Sequence, residues 1–133
     1  SIFNRWVEPH LLAELEAQGI GCIVFSPLAQ GLLSDKYLKE IPAGSRASKP
    51  HGFLKAAQID ETKLSKIRAL DKVASARGQT LAQMALAWVL RQPAVTSALI
   101  GASRVEQVDD CVAALNKLDF SAQELSEIDR VSR

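Results

Sequence analysis

Two short apolar runs, GCIVF at residues 21–25 and VTSALI at residues 95–100, leave this chain few ways to fold. Each is short for a helix and is flanked by glycine or proline, as strands buried on both faces of a parallel sheet commonly are. The residues between them, 26–94, are too many for a hairpin and carry helical patterning. A crossover of that kind joins parallel strands.

The helices are legible from their spacing and their ends. Pro9 to Gln18 places Leu11, Leu12 and Leu15 on one face, with Pro9 suited to the first turn and Gly19 placed to stop it. Asp60 to Arg77 is amphipathic through Leu64, Ile67, Leu70, Val73 and Ala74, and Gly78 follows. Thr80 and Gln83 form a capping box for LAQMALAWVLR, which is apolar nearly all round and so predicts a helix, with Trp88, buried among other elements. Val105–Leu115 follows the second strand. Ser121 and Glu124 make another capping box, for Ala122–Val131.

The order helix, strand, helices, strand, helix predicts an α/β fold with a parallel sheet. Two parallel strands cannot cover both faces of a sheet or satisfy its edges. The sheet is therefore expected to continue outside these residues. The opening on Ser1 rather than Met fits a piece of something longer.

A net charge of +1 gives no reason to expect a nucleic acid or an anionic membrane as partner. No apolar run approaches the roughly 20 residues of a membrane span. Cys22 and Cys111 lack metal-type spacing and read as packed, reduced thiols of a cytoplasmic protein. Residues 38–57 are rich in Pro, Gly, Ser and Lys, a loop long enough to be a lid or a binding loop.

In parallel α/β folds ligands bind at the carboxyl ends of strands, and two such ends exist here. The first is FSPLAQGLLSDKY, residues 25–37; the second is LIGASRVEQVDDC, residues 99–111. Gly101 permits close backbone approach, and Ser103 is placed to cap the next helix with Glu106 at the third position. A helix N-terminus with Arg104 beside it suits a phosphate. The same residues are also explained without a ligand, as a capping box, a solvated arginine and a turn. Arg5 and Trp6 read better as packing at a helix entry than as substrate contacts.

SPLAQGLLSDKY, IPAGSR, QMALAWVLR and VTSALIGASRVEQVDD, taken in that order, resemble the carboxyl-terminal part of an aldo-keto reductase. The branch is that of the potassium-channel β-subunits and the bacterial reductases of glyceraldehyde 3-phosphate and methylglyoxal. The resemblance implies a (β/α)8 barrel, of which residues 1–133 would be one part of a single domain, with GCIVF as strand 7 and VTSALI as strand 8. It implies NADPH as cofactor, a small aldehyde as substrate and, in this branch, a homo-oligomer. Ser26, Leu28 and Gln30 would line the pyrophosphate and the nicotinamide-side ribose, Lys36 would reach a phosphate, and Arg46 would lie in a strap over the cofactor. Gly101, Ser103 and Arg104 would hold the 2′-phosphate end, with Gln107 and Cys111 near the adenine.

Two positions depart from the family pattern. Asp35 stands where glycine is usual, and Cys111 where asparagine is usual, with Asp110 as a substitute for the lost adenine hydrogen bond. The family's catalytic Asp, Tyr, Lys and His find no counterpart here. Tyr37 belongs to the turn, and His10 and His51 do not fit. The chain by itself is thus expected not to catalyse. An NADPH-sensing channel subunit, and a barrel enzyme of another family with a phosphorylated substrate, are the competing readings.

Overall fold

The computed structural model describes residues 1–35, 38 and 59–133. Lys36, Tyr37, Arg46, His51 and most of the long loop lie outside the described residues. Among those described, the elements are α1 (Leu11–Ala17), β1 (Cys22–Phe25), α2 (Glu61–Ala76), α3 (Leu81–Leu90), β2 (Val95–Leu99), α4 (Val105–Ala113) and α5 (Ala122–Ser132). The helix starts follow their caps. The Asp60 side chain accepts from Lys63 N at 2.7 Å, and both the Thr80–Gln83 and Ser121–Glu124 boxes are closed.

β1 and β2 pair in parallel, with Ile23 beside Ser97, Val24 beside Ala98 and Phe25 beside Leu99. The register slips between Cys22 and Ile23, next to Gly21. A Cβ at Gly21 would stand 2.2 Å from Thr96 Oγ1 and 3.3 Å from its Cβ. Gly21→Ala is therefore expected to cost about 1–2 kcal/mol by crowding this crossing. Urea unfolding measures it, and Thr96→Gly in the same chain should restore most of the loss.

α3 organises the core. Eight of its ten residues are buried, and Leu81, Met84, Ala85 and Trp88 pack with Ile67 and Leu70 of α2, Ile128 of α5, and Ile2 and Leu33. The sheet differs from the expectation of strands buried on both faces. Ile23 is 70% exposed, Phe25 78% and Leu99 62%. Alternate residues of a strand face opposite ways, and among the described residues only one face of the pair is covered. On α4, Val105, Val108 and Val112 are exposed as well.

Two charged clusters tie distant segments together. Arg77, 4% exposed, donates from Nε to Gln79 Oε1 at 2.9 Å and from Nη2 to the Asp119 carbonyl at 2.9 Å. Its Nη1 lies 2.7 Å from Glu124 Oε2, an ion pair by distance though not aligned as a hydrogen bond, and its plane stacks on Phe120 at 3.7 Å. The second cluster holds the first residues of the chain. Arg5 pairs with Glu8 and with Asp129, each at 2.6 Å, and Arg91 pairs with Glu8 at 2.9 Å. Both guanidiniums lie over the Trp88 ring, at 4.9 and 3.7 Å. Arg5 does pack, but its aromatic partner is Trp88, while Trp6 is exposed.

Burial works against the charge of Glu8, yet the hydrogen bonds from Arg5 and Arg91 outweigh it and hold its carboxyl below the usual range. A carboxylate depressed in the folded state adds stability above its unfolded pKa, and that stability is lost as pH falls through the lower folded value. The acid limb of the stability curve should therefore flatten in Glu8→Gln, as read by urea midpoints at successive pH values.

Candidate functional site

The parallel pairing sets Phe25 beside Leu99 at the ends of the two strands, so the segments that follow leave the sheet side by side. The segment after β1 is not an ordinary reversing turn. Ser26, Ala29 and Gln30 have φ of 52°, 47° and 60°, and Gly31 follows at 95°. Left-handed backbone costs a non-glycine residue about 1–2 kcal/mol, and such costs gather where the surroundings dictate the chain path. Here Ala29 N donates to Ser26 O at 2.9 Å, and Gly31 N and Leu33 N both donate to Leu28 O, at 2.9 and 3.1 Å. Ser34 Oγ donates to Gly31 O at 2.6 Å, and Leu32 and Leu33 anchor the turn in the core. The loop thus holds Ser26 and Gln30 on a tightly wound frame, while Leu28 packs partly against the core.

After β2 the chain passes through Gly101 to α4. The Ser103–Glu106 capping box expected from the spacing does not form. The helix begins at Val105, and Arg104, extended at φ −146° and ψ 152°, takes the cap position. Ser103 is therefore one residue too early to cap with its side chain, and its N and Oγ instead donate to Gln107 Oε1 at 2.9 and 3.2 Å. Gly101, Ser103 and Arg104 are exposed together at the start of this helix. Arg104 makes no ion pair among the described residues. Glu106 in the first turn adds one opposing charge.

Asp110 and Cys111 lie further along α4. Asp110 accepts from Gln83 Nε2 at 2.7 Å and from the Thr80 hydroxyl at 3.4 Å, contacts that no short-range sequence signal announced. Asp110 is thus already engaged within the protein. Burial pushes the Asp35 carboxyl up, and Asp71 and Asp110 add to this, so the end of the first loop lies within electrostatic reach of α4. Burial, then the Asp110 charge, raises the pKa of the Cys111 thiol. Cys22 and Cys111 are both free thiols.

The structure thus places Ser26, Leu28 and Gln30 on one strand-end segment and Gly101, Ser103, Arg104, Gln107 and Cys111 on the neighbouring one. Lys36 and Arg46 lie outside the described residues. Among the described residues, no three His, Cys, Asp or Glu are grouped to hold a metal, and no helix is long and apolar enough to cross a membrane. An open groove of about 450 Å³, lined by Arg91, Gln92, Asp119 and Phe120 among others, lies at the amino end of β2, away from these loops.

This arrangement suits an anionic ligand running from one strand end to the next. The amino end of α4 offers free N–H groups and the positive end of the helix dipole, with an arginine beside it. Among the described residues, the features that suit a phosphate are those at the start of α4, with Arg104 exposed beside it.

Comparison with known proteins bears on the same residues. The sequence model of the Aldo/keto reductase family matches residues 1–133. The chain is 49% identical over 135 residues to an L-glyceraldehyde 3-phosphate reductase of Escherichia coli (strain K12), covering 98% of this chain and 39% of that protein. It is 38% identical over 129 residues to a putative voltage-gated potassium channel subunit beta of Schizosaccharomyces pombe, covering 93% of this chain and 37% of that protein. Among solved structures, a thermostable aldo-keto reductase crystallised with the inhibitor epalrestat superposes with a TM-score of 0.65 at 25% identity, covering 98% of this chain and 36% of that one. The chain spans less than two fifths of the length of each of these proteins.

Proposed function

Since this chain belongs to the aldo/keto reductase family, we propose that residues 1–133 are the carboxyl-terminal part of one (β/α)8 barrel domain, holding NADPH at the ends of β1 and β2 for reduction of a small aldehyde. The observation that carries this reading is the convergence of the strained loop after β1 with the exposed, arginine-bearing start of α4. The rest of the barrel would cover the apolar face of Ile23, Phe25 and Leu99 and the exposed valines of α4. Without it, the 133 residues alone should self-associate.

Bound NADPH supplies the hydride; the residues here orient and hold it. Ser26, Leu28 and Gln30 line the pyrophosphate and the adjoining ribose. Gly101 lets the backbone approach, while Ser103 and Arg104 hold the 2′-phosphate, with Arg104 as a forked donor. Gln107 and Cys111 lie toward the adenine. The 49% identity to an L-glyceraldehyde 3-phosphate reductase makes a three-carbon aldehyde, glyceraldehyde 3-phosphate or methylglyoxal, the first substrate to try. We assign the protein to the cytoplasm, with no nucleic-acid partner and with a homo-oligomeric state as in this branch.

A second reading, an NADPH-sensing regulatory subunit, is favoured by the 38% identity to a potassium channel β-subunit. One experiment separates the two. The full-length protein is titrated with NADPH by cofactor fluorescence, and its NADPH oxidation is followed with each aldehyde. Binding with turnover supports the reductase; binding without turnover on any aldehyde supports the sensor. No binding removes both. The 133-residue chain alone is expected to show no turnover, since the catalytic groups of the family have no counterpart in it.

A further inference from the structure

We propose that Asp110 is a positioning residue that fixes the nucleotide-holding end of α4 by gripping the start of α3, rather than a group that reads the base. The inference rests on the dinucleotide reading of the strand ends. Its ground is a closed set of contacts between two helices. Gln83 N donates to Thr80 Oγ1 and Thr80 N donates to Gln83 Oε1, each at 3.1 Å, which closes the α3 cap. The donors left over on the same two side chains, the Thr80 hydroxyl and the Gln83 amide, both point to Asp110. Every polar atom of the Thr80 and Gln83 side chains is thereby used, and both Asp110 oxygens face α3.

Electrostatics favours the same placement. A carboxylate at the amino end of α3 meets the positive end of that helix dipole. Geometry then carries the effect to the ligand. Asp110 lies about one helical turn beyond Gln107 on α4, and Arg104, extended, caps the amino end of the same helix. Pinning Asp110 to α3 sets where the guanidinium of Arg104 and the amide of Gln107 stand. No residue of α4 is buried, and Val105, Val108 and Val112 are exposed, so apolar packing among the described residues does little to fix the rotation of this helix about its axis.

The test is made on the full-length protein, with dissociation constants for NADPH and for its hypoxanthine analogue, which lacks the adenine amino group, and with melting temperature as control. Asp110→Ala is expected to weaken both cofactors by the same factor, about tenfold, the scale of one charged hydrogen bond. Asp110→Asn keeps an acceptor for Gln83 and should recover most of the loss. Gln83→Met, which never touches the ligand, should weaken both cofactors similarly and add nothing further on top of Asp110→Ala. If Asp110→Ala weakens NADPH but spares the hypoxanthine analogue, Asp110 reads the base and the proposal is overturned. It is also overturned if Gln83→Met binds like the parent protein, or if the variants only melt earlier with unchanged affinity. Should Asp110→Ala not fold, the isosteric Asn and Met variants answer the same question. A parent protein that binds neither cofactor would instead remove the dinucleotide reading itself.

Discussion

Arg77→Ala is expected to lower the stability of the full-length protein by about 3–5 kcal/mol, the usual cost of breaking a buried ion pair by removing one partner. The guanidinium is buried where the end of α2, the segment before α5 and the α5 cap meet, and each of its three nitrogens has a different partner. Alanine would leave the buried Gln79 amide oxygen without its donor, and the Asp119 carbonyl at the groove would lose the guanidinium. Glu124 would lose its cation. Burial works against the charge of that carboxylate, but the Ser121 N–H and hydroxyl, together with Arg77, outweigh it and hold its pKa below the usual range. Phe120 would lose the plane stacked on it. Arg77→Lys should recover little, because one ammonium on a flexible stem cannot meet three partners in a fixed fork. Urea unfolding measures both variants. A loss below about 1 kcal/mol for alanine, the scale of an exposed pair, would show that the cluster is not the clamp described here.

Arg104→Ala should separate the two nicotinamide cofactors in the full-length protein. On the proposed reading the guanidinium meets only the 2′-phosphate, so NADPH binding should fall roughly 10- to 100-fold, the range of a charge-assisted hydrogen bond. NADH binding should stay within about twofold, and added salt should shrink the difference, because Arg104 is exposed and screened. Fluorescence titration of both cofactors reads it out. Equal losses for the two would sink the 2′-phosphate assignment while leaving the dinucleotide site in place.

Much of the fold was legible because it is local. The caps at Thr80 and Ser121 act over three residues, and the apolar positions of α2 and α3 repeat within a turn or two. These elements therefore lie within a residue or two of their expected ends. The two strand-end segments were equally readable as places where a parallel fold binds ligands, though their internal geometry was not. Ser103 illustrates the gap: its spacing to Glu106 matches a capping box, yet starting α4 at Val105 hands its hydrogen bonds to Gln107. The left-handed Ser26, Ala29 and Gln30 carry no glycine to announce them.

The strands show the same division. An apolar run tells that its residues avoid water, but not which neighbour does the covering, and Ile23 and Phe25 stay exposed because, among the described residues, only one face of β1 is packed.

Periodicity, caps and breakers thus determined from sequence alone which segments are helix or strand, since those forces act between residues a few positions apart, and the order of those segments implied the parallel pairing. Only the tertiary structure decided that Asp110 grips Gln83 across 27 positions, that Arg77 reaches the Asp119 carbonyl across 42, and that Arg5 closes on Asp129 across 124. Each of these contacts exists because packing the apolar faces around α3 brings its partners within hydrogen-bond reach. No pattern of residue types along the chain encodes a meeting between side chains so far apart.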